Sequence, residues 1–233
     1  CGSFAYGSTY TVFEHKVMAW SMAETISITL YGEKGGKTYQ GETITTSVEA
    51  LALAKIADYD SKGNGAACTA LVDMLNYGAA VQVRHSHNAD QLPSVGEYAN
   101  YATADAPELT AENVITETGT KASSNSVSMQ AKVEIQLMFK ASFMEGKTFV
   151  ATRNGEEVAV EYTPYSSFII CRVAVGASQM RDTFTIAVYD ANGNAASYVY
   201  EVSVEAYGKA QLGTNNNDVV IAMMKYGDSV AAI

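Results

Sequence analysis

Charged residues are scarce in this sequence, and their scarcity excludes several classes of function. They make up 17% of the 233 residues, and the net charge is -10. Because an acidic chain without a run of lysine or arginine repels a phosphate backbone, we expect no binding to nucleic acid. Long apolar runs are also missing, and no stretch reaches the roughly 20 residues that a membrane-spanning helix needs.

Cysteine is nearly as scarce. Cys1, Cys68 and Cys171 are too few and too scattered for a disulfide framework or a zinc site. Cys1 could carry a lipid anchor or mark a cleavage boundary, and both interpretations stay open. No basic and then apolar leader precedes the first predicted strand, so we interpret the chain as a piece of a longer precursor.

Hydrophobic residues are abundant at 48%, which predicts a folded protein with a sizeable core. The main pattern within it is a unit that occurs twice. Residues 25–31 and 183–189 alternate as half-buried strands, and a turn and a return strand follow each of them. In the second copy the turn contains Asn192-Gly193, a pair that suits a tight hairpin.

Both return strands lead into the same four residues, Ser-Val-Glu-Ala, at 47–50 and 203–206. A serine followed two residues later by glutamate predicts the capped start of a helix in each copy. We expect these helices to end at Ile56 and Leu212. Closing helices follow, and each keeps a glycine, Gly78 or Gly227, although glycine costs about 1 kcal/mol relative to alanine in a helix. The shared glycine predicts a close helix crossing or a bend.

Further strands are predicted between the two copies. Alternating apolar residues predict one long strand from Val127 to Ala141. A hairpin is expected over 147–162 with its turn at Asn154-Gly155, and another strand over 168–175. Residues 9–22 resemble 166–180, so the first copy is expected to begin partway through its module. Its remaining strands would then lie upstream in the precursor or come from another chain.

These patterns predict an α+β fold, with a β-sandwich-like domain and duplicated units of a β-hairpin plus two helices. We expect residues 1–83 to form the C-terminal part of a first module, 84–126 a connector, and 127–233 a second module. The connector is predicted from its polar, irregular sequence.

Residues 71–82 read LVDMLNYGAAVQ and resemble the "L-V-x-A-M-L-N-Y-G-A-A-A-Q" ending of modules in large secreted proteins of gut clostridia and ruminococci. Residues 173–180, 183–189 and 200–207 are similar to the same family. The likeness covers 125–233 almost wholly and 9–90 in part, and it departs from the pattern at Asp228-Ser229, where alanines are usual. The resemblance implies an appendage beside dockerins, repeats and glycan-active domains, and it carries over no catalytic residue.

Two groups of polar residues partly match the pattern of a metal site. His85, His87 and Asp90 follow the first closing helix, but two histidines at this spacing without a clear third ligand favour a solvated loop. Asp58 and Asp60 resemble the start of a calcium loop, but the following positions lack the oxygen ligands that calcium needs. We expect neither a metal nor a cofactor.

Motifs of nucleophilic catalysis and of phosphate binding are absent from the sequence. Glu134 and Glu161 lie on predicted strands and could form the carboxylate pair of a glycosidase. Acidic residues on the solvated face of a sheet are much commoner, so we do not expect an enzyme.

Tyrosine is unusually frequent, with 15 residues against a single tryptophan. If Asn192-Gly193 forms a two-residue turn, then Tyr189, Tyr198 and Tyr200 share one face of the second hairpin. Such a face could bind a glycan or a host protein, or it could pack against the module's own helices. Trp20 is expected in the core or at a module junction.

The expected function is that of a non-catalytic module of a secreted Gram-positive cell-surface protein, located outside the cell at its surface. It would bind a glycan or a protein ligand and contact the neighbouring modules of its precursor. The alternatives are a structural spacer in a surface array and, third, a glycan-active enzyme.

Overall fold

The chain has an α+β fold in the computed structural model, as the sequence predicts, with antiparallel sheets and separate helices. The structure describes residues 2–6, 10–129 and 132–233, and for residues 2–6 and 10–13 it describes the backbone alone. Cys1 lies outside the described residues. The chain divides into two units, Cys1–Ala102 and Thr103–Ile233, so the predicted connector 84–126 is shared between them. No helix in the described ranges combines the length and the apolar character that crossing a membrane requires.

The described part of the first unit consists of two hairpins and two α-helices. Its elements are β1 (Gly2–Tyr6), β2 (Tyr10–Glu14), β3 (Ile26–Lys34), β4 (Lys37–Thr46), α1 (Val48–Ser61) and α2 (Gly65–Arg84). β1 pairs with β2, and β3 pairs with β4. A 3-10 turn at Ala19–Ser21 precedes β3, and another at Gly96–Tyr101 follows α2. The first helix continues five residues beyond its predicted end at Ile56.

The second unit, as far as the structure describes it, has two antiparallel sheets and three α-helices. Its elements are β5 (Val114–Thr116), β6 (Ser124–Met129), β7 (Val133–Lys140), α3 (Ala141–Met144), β8 (Thr148–Arg153), β9 (Glu156–Glu157), β10 (Glu161–Tyr165), β11 (Phe168–Val175), β12 (Phe184–Tyr189), β13 (Val199–Val202), α4 (Val204–Gln211) and α5 (Asn217–Ala231). One sheet has the order β10-β11-β7-β6, and the other has the order β5-β13-β12-β8-β9.

The inner faces of these two sheets meet. The rings of Phe149 on β8 and Tyr162 on β10 contact edge to face, with their centroids 6.4 Å apart. The Tyr162 hydroxyl donates to the Phe149 carbonyl at 3.2 Å. β7 and β12 each bury most of their residues, so the core of the second unit lies between the sheets.

The predicted long strand from Val127 to Ala141 is wrong, because the segment forms two antiparallel strands. β6 pairs with β7, with Met129 opposite Val133. The alternating apolar residues occupy odd positions in both strands, so the alternating pattern does not show where the chain reverses direction. Ala131, which belongs to this pattern, lies outside the described residues.

The hairpin predicted over 147–162 is partly wrong. Asn154 and Gly155 both have positive φ, at 51° and 89°, as the tight turn requires. The return strand β9, however, has only two residues. The chain then crosses to the other sheet, where Glu161–Tyr165 pairs with β11.

The hairpin and the two helices occur in both units with the same helix start. Ser47 Oγ accepts a hydrogen bond from the Ala50 N–H at 3.0 Å, and Ser203 Oγ accepts one from Ala206 at 3.0 Å. These are N-caps, because each serine satisfies an N–H group of the first helical turn. The predicted capped helices are therefore confirmed.

The shared helix glycines lie against a turn and not at a helix crossing. A Cβ added to Gly78 would lie 2.5 Å from Met22 Sδ and 3.1 Å from the Ala19 carbonyl oxygen. A Cβ on Gly227 would lie 2.8 Å from Met180 Sδ and 3.1 Å from the Ala177 carbonyl oxygen, in the corresponding 3-10 turn Ala177–Gln179. In each unit the glycine lets the closing helix pack on the 3-10 turn ahead of the hairpin.

Candidate functional site

The second unit contains an open cleft of about 310 Å³ at the edge of its core. It lies where β6 and β7 approach the end of β13 and the start of the helical pair. The cleft is lined by Asn113, Asn125, Ser126, Val127, Ile135, Leu137, Val202, Ser203, Tyr207, Ala210 and Gln211. Among these described lining residues, none carries a charge.

Regular spacing places most of these side chains. Ile135 and Leu137 are two residues apart on β7, so they face the same side of the sheet and form an apolar floor. Tyr207 and Gln211 are four residues apart on α4, so they project from one face of the helix. Ser203 is already engaged as the N-cap of α4.

The polar groups of the cleft can donate and accept hydrogen bonds while remaining neutral. Asn113 and Asn125 are exposed, and Tyr207 is half-buried. Gln211 is held in place by the Asn216 side-chain amide, which donates to its Oε1 at 3.0 Å. An apolar floor beneath amides and a phenol suits an uncharged ligand with several hydroxyl groups.

The three tyrosines predicted from sequence do not share an open surface. Tyr200 is 1% exposed, and its hydroxyl accepts a hydrogen bond from the Ala122 N–H at 2.7 Å. Burial raises the pKa of Tyr200. Tyr189 and Tyr198 are half-buried, and the rings of Tyr198 and Tyr200 are 6.4 Å apart. Tyr200 is therefore part of the core, while Tyr189 and Tyr198 keep some exposed surface.

The hairpin turn beside these tyrosines is longer than the predicted two-residue turn. The Asp190 N–H donates to the Asn194 carbonyl, and the Gly193 N–H donates to the Asp190 carbonyl, each at 3.0 Å. Three residues therefore lie inside the loop, and Gly193 takes the positive φ of 80°. The Val188 carbonyl accepts from two successive N–H groups, those of Ala196 and the following serine, which marks a bulge.

The two histidines considered as metal ligands make contacts with the start of the first unit. His87 Nε2 lies 2.6 Å from Glu24 Oε1, and the His85 ring lies 4.9 Å from the ring of Trp20. The hydrogen bond with His87 lowers the pKa of Glu24. Within the described residues, no group of three or more His, Cys, Asp or Glu side chains could hold a metal ion.

The acidic residues considered for calcium binding or catalysis have cationic or hydroxyl partners. Asp58 pairs with Lys62 at 2.8 Å, and the Tyr101 hydroxyl donates to Asp60. In the second unit, a lysine at position 132 bridges the two candidate glutamates. Its Nζ lies 2.9 Å from Glu134 Oε1 and 3.0 Å from Glu161 Oε1.

An ion-pair network that sequence reasoning missed joins the turn, α4 and α5 of the second unit. Arg181 Nη1 lies 2.9 Å from Glu205 Oε1, and its Nε lies 2.6 Å from Asp228 Oδ1. Asp228 is the position at which the family resemblance leads one to expect alanine. The first copy has Ala23 and Ala79 at the positions of Arg181 and Asp228. The replacement of both alanines by an arginine and an aspartate in the second copy is the sequence signal from which this ion pair could have been predicted.

The cleft was also missed, because its lining comes from parts of the chain that are far apart in sequence. Asn113 precedes β5, Asn125 lies on β6, and Tyr207 lies on α4. No local pattern connects these positions. No family model matches the chain, and no curated protein or solved structure matches it either.

Proposed function

We propose that this chain is a non-catalytic binding module of a secreted bacterial cell-surface protein, and that its cleft binds an uncharged glycan. The lining of the cleft carries the proposal, since it combines three side-chain amides and a tyrosine around an apolar floor. Sugars present hydroxyl groups at their edges and C–H groups on their faces. Amides can form hydrogen bonds with the hydroxyl groups, and an aromatic ring can stack on the C–H face.

The size of the cleft supports a small ligand. At about 310 Å³ it lies at the lower end of the range for small-molecule sites, roughly 300–1,000 Å³. One or two sugar units of a longer glycan fit such a volume. The neutral lining favours a neutral sugar over a uronic acid or a sialic acid, because the described lining residues include neither a lysine nor an arginine to pair with a carboxylate.

A secreted, surface-attached setting is supported by the resemblance of residues 71–82, 173–180, 183–189 and 200–207 to modules of large secreted clostridial proteins. The neighbouring modules of the precursor are its proposed partners. A binding role is favoured over catalysis by the ion pairs of Glu134 and Glu161 with the same lysine. A general acid or a nucleophile in a glycosidase must instead face its substrate.

The test is a glycan array probed with the 233-residue chain, followed by titration calorimetry with each neutral glycan retained. Tyr207→Ala and Asn125→Ala should each weaken binding by at least about tenfold, because each removes a direct contact. Tyr198→Ala is the matched control, since it removes a half-buried tyrosine of the same unit away from the cleft. If Tyr198→Ala abolishes binding and Tyr207→Ala does not, the ligand site is the hairpin and the cleft proposal is wrong.

A spacer role in a surface array is the second candidate, and the repetition of the hairpin and helix pair favours it. It requires rigid packing between successive modules. Small-angle scattering of a chain with two complete modules should then give the profile of a rigid rod. A freely jointed profile, together with a glycan ligand from the array, would favour the binding role alone.

A further inference from the structure

The β3–β4 hairpin of the first unit has one polar face and one apolar face. On the polar face, hydroxyl groups pair across the strands, with Thr29 Oγ1 2.7 Å from Thr43 Oγ1. The apolar face carries Ile28, Leu30 and Ile44, which are 39%, 48% and 62% exposed. Three large aliphatic side chains on one side of a two-stranded sheet form an unusual surface for a folded protein.

The second unit shows the same face in a covered state. Ile28 pairs with Ile44 across the first hairpin, as Ile186 pairs with Tyr200 across the second. Ile186 and Tyr200 are each 1% exposed. Val188, at the position of Leu30, is fully buried. The two hairpins therefore share a sequence pattern and the register of three residue pairs, 26–28 with 44–46 and 184–186 with 200–202, and they differ in what lies against them.

Neighbouring strands supply the cover in the second unit. β8 pairs with the edge of β12 that faces away from β13, and β5 pairs with the edge of β13 that faces away from β12. The opposite sheet lies over the inner face, where Val202 shares a cleft with Ile135 and Leu137 of β7. β7 in turn pairs with β11.

The first unit holds counterparts of only part of this assembly. β1 and β2 form a hairpin ahead of a 3-10 turn, as β10 and β11 do, and β3, β4, α1 and α2 correspond to β12, β13, α4 and α5. In the described part of the first unit, nothing corresponds to β5–β9. In the second unit, β7, β8 and β5 pair with the edges of β11, β12 and β13. The corresponding edges in the first unit are the outer edges of β2, β3 and β4.

We propose that the apolar face and the outer edges of β3–β4 bind a partner polypeptide that supplies a set of strands like β5–β9. The recognition chemistry is strand addition: backbone N–H and C=O groups pair along the edges, and alternate apolar side chains pack on Ile28, Leu30 and Ile44. The strands from Val114 to Glu157 define the pattern that such a partner carries.

A second copy of this chain cannot supply these strands. The described part of each chain contains two hairpins of this kind and one set of β5–β9, and that set is already engaged within the second unit. A copy that donated its strands would uncover its own Ile186 and Tyr200. The donor is therefore a partner polypeptide of a different sequence. This inference is independent of the cleft and of its ligand.

The experiment uses hydrogen exchange of the 233-residue chain, alone and with residues 103–160 added as a separate polypeptide. In a second arm, residues 103–160 are joined directly ahead of residue 1, as they precede residue 161 in the chain, in case the separate polypeptide does not fold. We expect amide exchange in β3 and β4 to slow by at least about 100-fold in one or both arms. The same experiment with Ile28→Lys and Ile44→Lys together should show no slowing.

The double lysine variant is a fair control because both side chains are exposed in the chain alone, so it should leave the thermal midpoint of that chain nearly unchanged. Unchanged exchange of β3 and β4 in both arms would overturn the proposal. So would a chain that sediments as a dimer and becomes a monomer on Ile44→Lys, because a second copy would then cover the face.

Discussion

Arg181 and Asp228 form a two-point ion pair in the second unit, with Nε–Oδ1 at 2.6 Å and Nη2–Oδ2 at 2.8 Å. The first copy has alanine at both positions, so it retains neither partner of the pair. We expect Arg181→Ala to cost about 1–3 kcal/mol in the free energy of unfolding, since it leaves the buried Glu205 carboxylate without its cation.

A double-mutant cycle separates the contributions. Asp228→Ala should cost less than Arg181→Ala, because Asp228 is partly exposed and its loss leaves Arg181 paired with Glu205. The double variant carries the residues of the first copy and should cost less than the sum of the single changes. Strict additivity in urea unfolding would show that the pair has no coupling energy.

Glu205 makes the second unit sensitive to acid. Burial acts to raise the pKa of this carboxyl, but the N–H groups of Thr110 and Ala111 and the Arg181 guanidinium lower it overall. A lowered pKa in the folded state stabilises the fold above the ordinary glutamate pKa of about 4.3, and this contribution is lost as the pH falls through the lowered value.

We therefore expect the second unit to lose stability as the pH falls below about 4.3, and Glu205→Gln to remove part of this dependence. Urea titrations at several pH values, followed through the NMR signals of α4, measure it. Glu49→Gln is the matched control in the first unit, where Glu49 accepts from the Ser94 N–H and Ala23 replaces the arginine. An identical pH profile for wild type and Glu205→Gln would contradict the assignment.

The helix glycines give a prediction about packing. Gly78→Ala and Gly227→Ala should each destabilise their unit by about 1–2 kcal/mol, because the clash with a methionine sulfur and a backbone carbonyl outweighs the better helix propensity of alanine. Gly65→Ala, in the same helix as Gly78, meets only an ordinary contact at 3.7 Å and should be neutral or slightly stabilising. Thermal unfolding of the three variants tests the difference.

The buried cysteines report the opening of each unit separately. Cys68 in the first unit and Cys171 in the second are both fully buried, and burial raises the pKa of the Cys171 thiol to about 12. Since the thiolate is the reactive form, native labelling of both residues should be at least about 1,000-fold slower than in denaturant. Mass spectrometry of a Cys1→Ser chain measures the two rates. Fast labelling of either residue would show that its site is open.

Local sequence signals predicted the repeated part of the fold well. Ser47 and Ser203 act as the predicted caps, and strand β11 has the predicted ends at Phe168 and Val175. Each of these signals depends only on residues within one helical turn or one strand. The structure that it predicts therefore depends little on how the rest of the chain packs. The same local signals missed the reversal between Met129 and Val133, because an alternating pattern does not record the direction of the chain.

The candidate site was much less predictable. Tyrosine is a common residue type in binding sites, yet the Tyr200 hydroxyl accepts a hydrogen bond from the Ala122 N–H within the core. Whether a tyrosine faces solvent depends on the opposite sheet, which no local pattern specifies. Tyr207 carries no local signal of a binding role, because the cleft beside it is completed by strands distant in sequence.

Hydroxyl-radical footprinting of the unmodified chain tests the contrast between the two hairpins most directly. We expect oxidation at the first hairpin, where Tyr31 and Ile44 are 66% and 62% exposed, and protection at Ile186 and Tyr200 until the second unit unfolds. Equal protection of Ile44 and Tyr200 in the native monomer would contradict the uncovered face and the strand addition inferred from it.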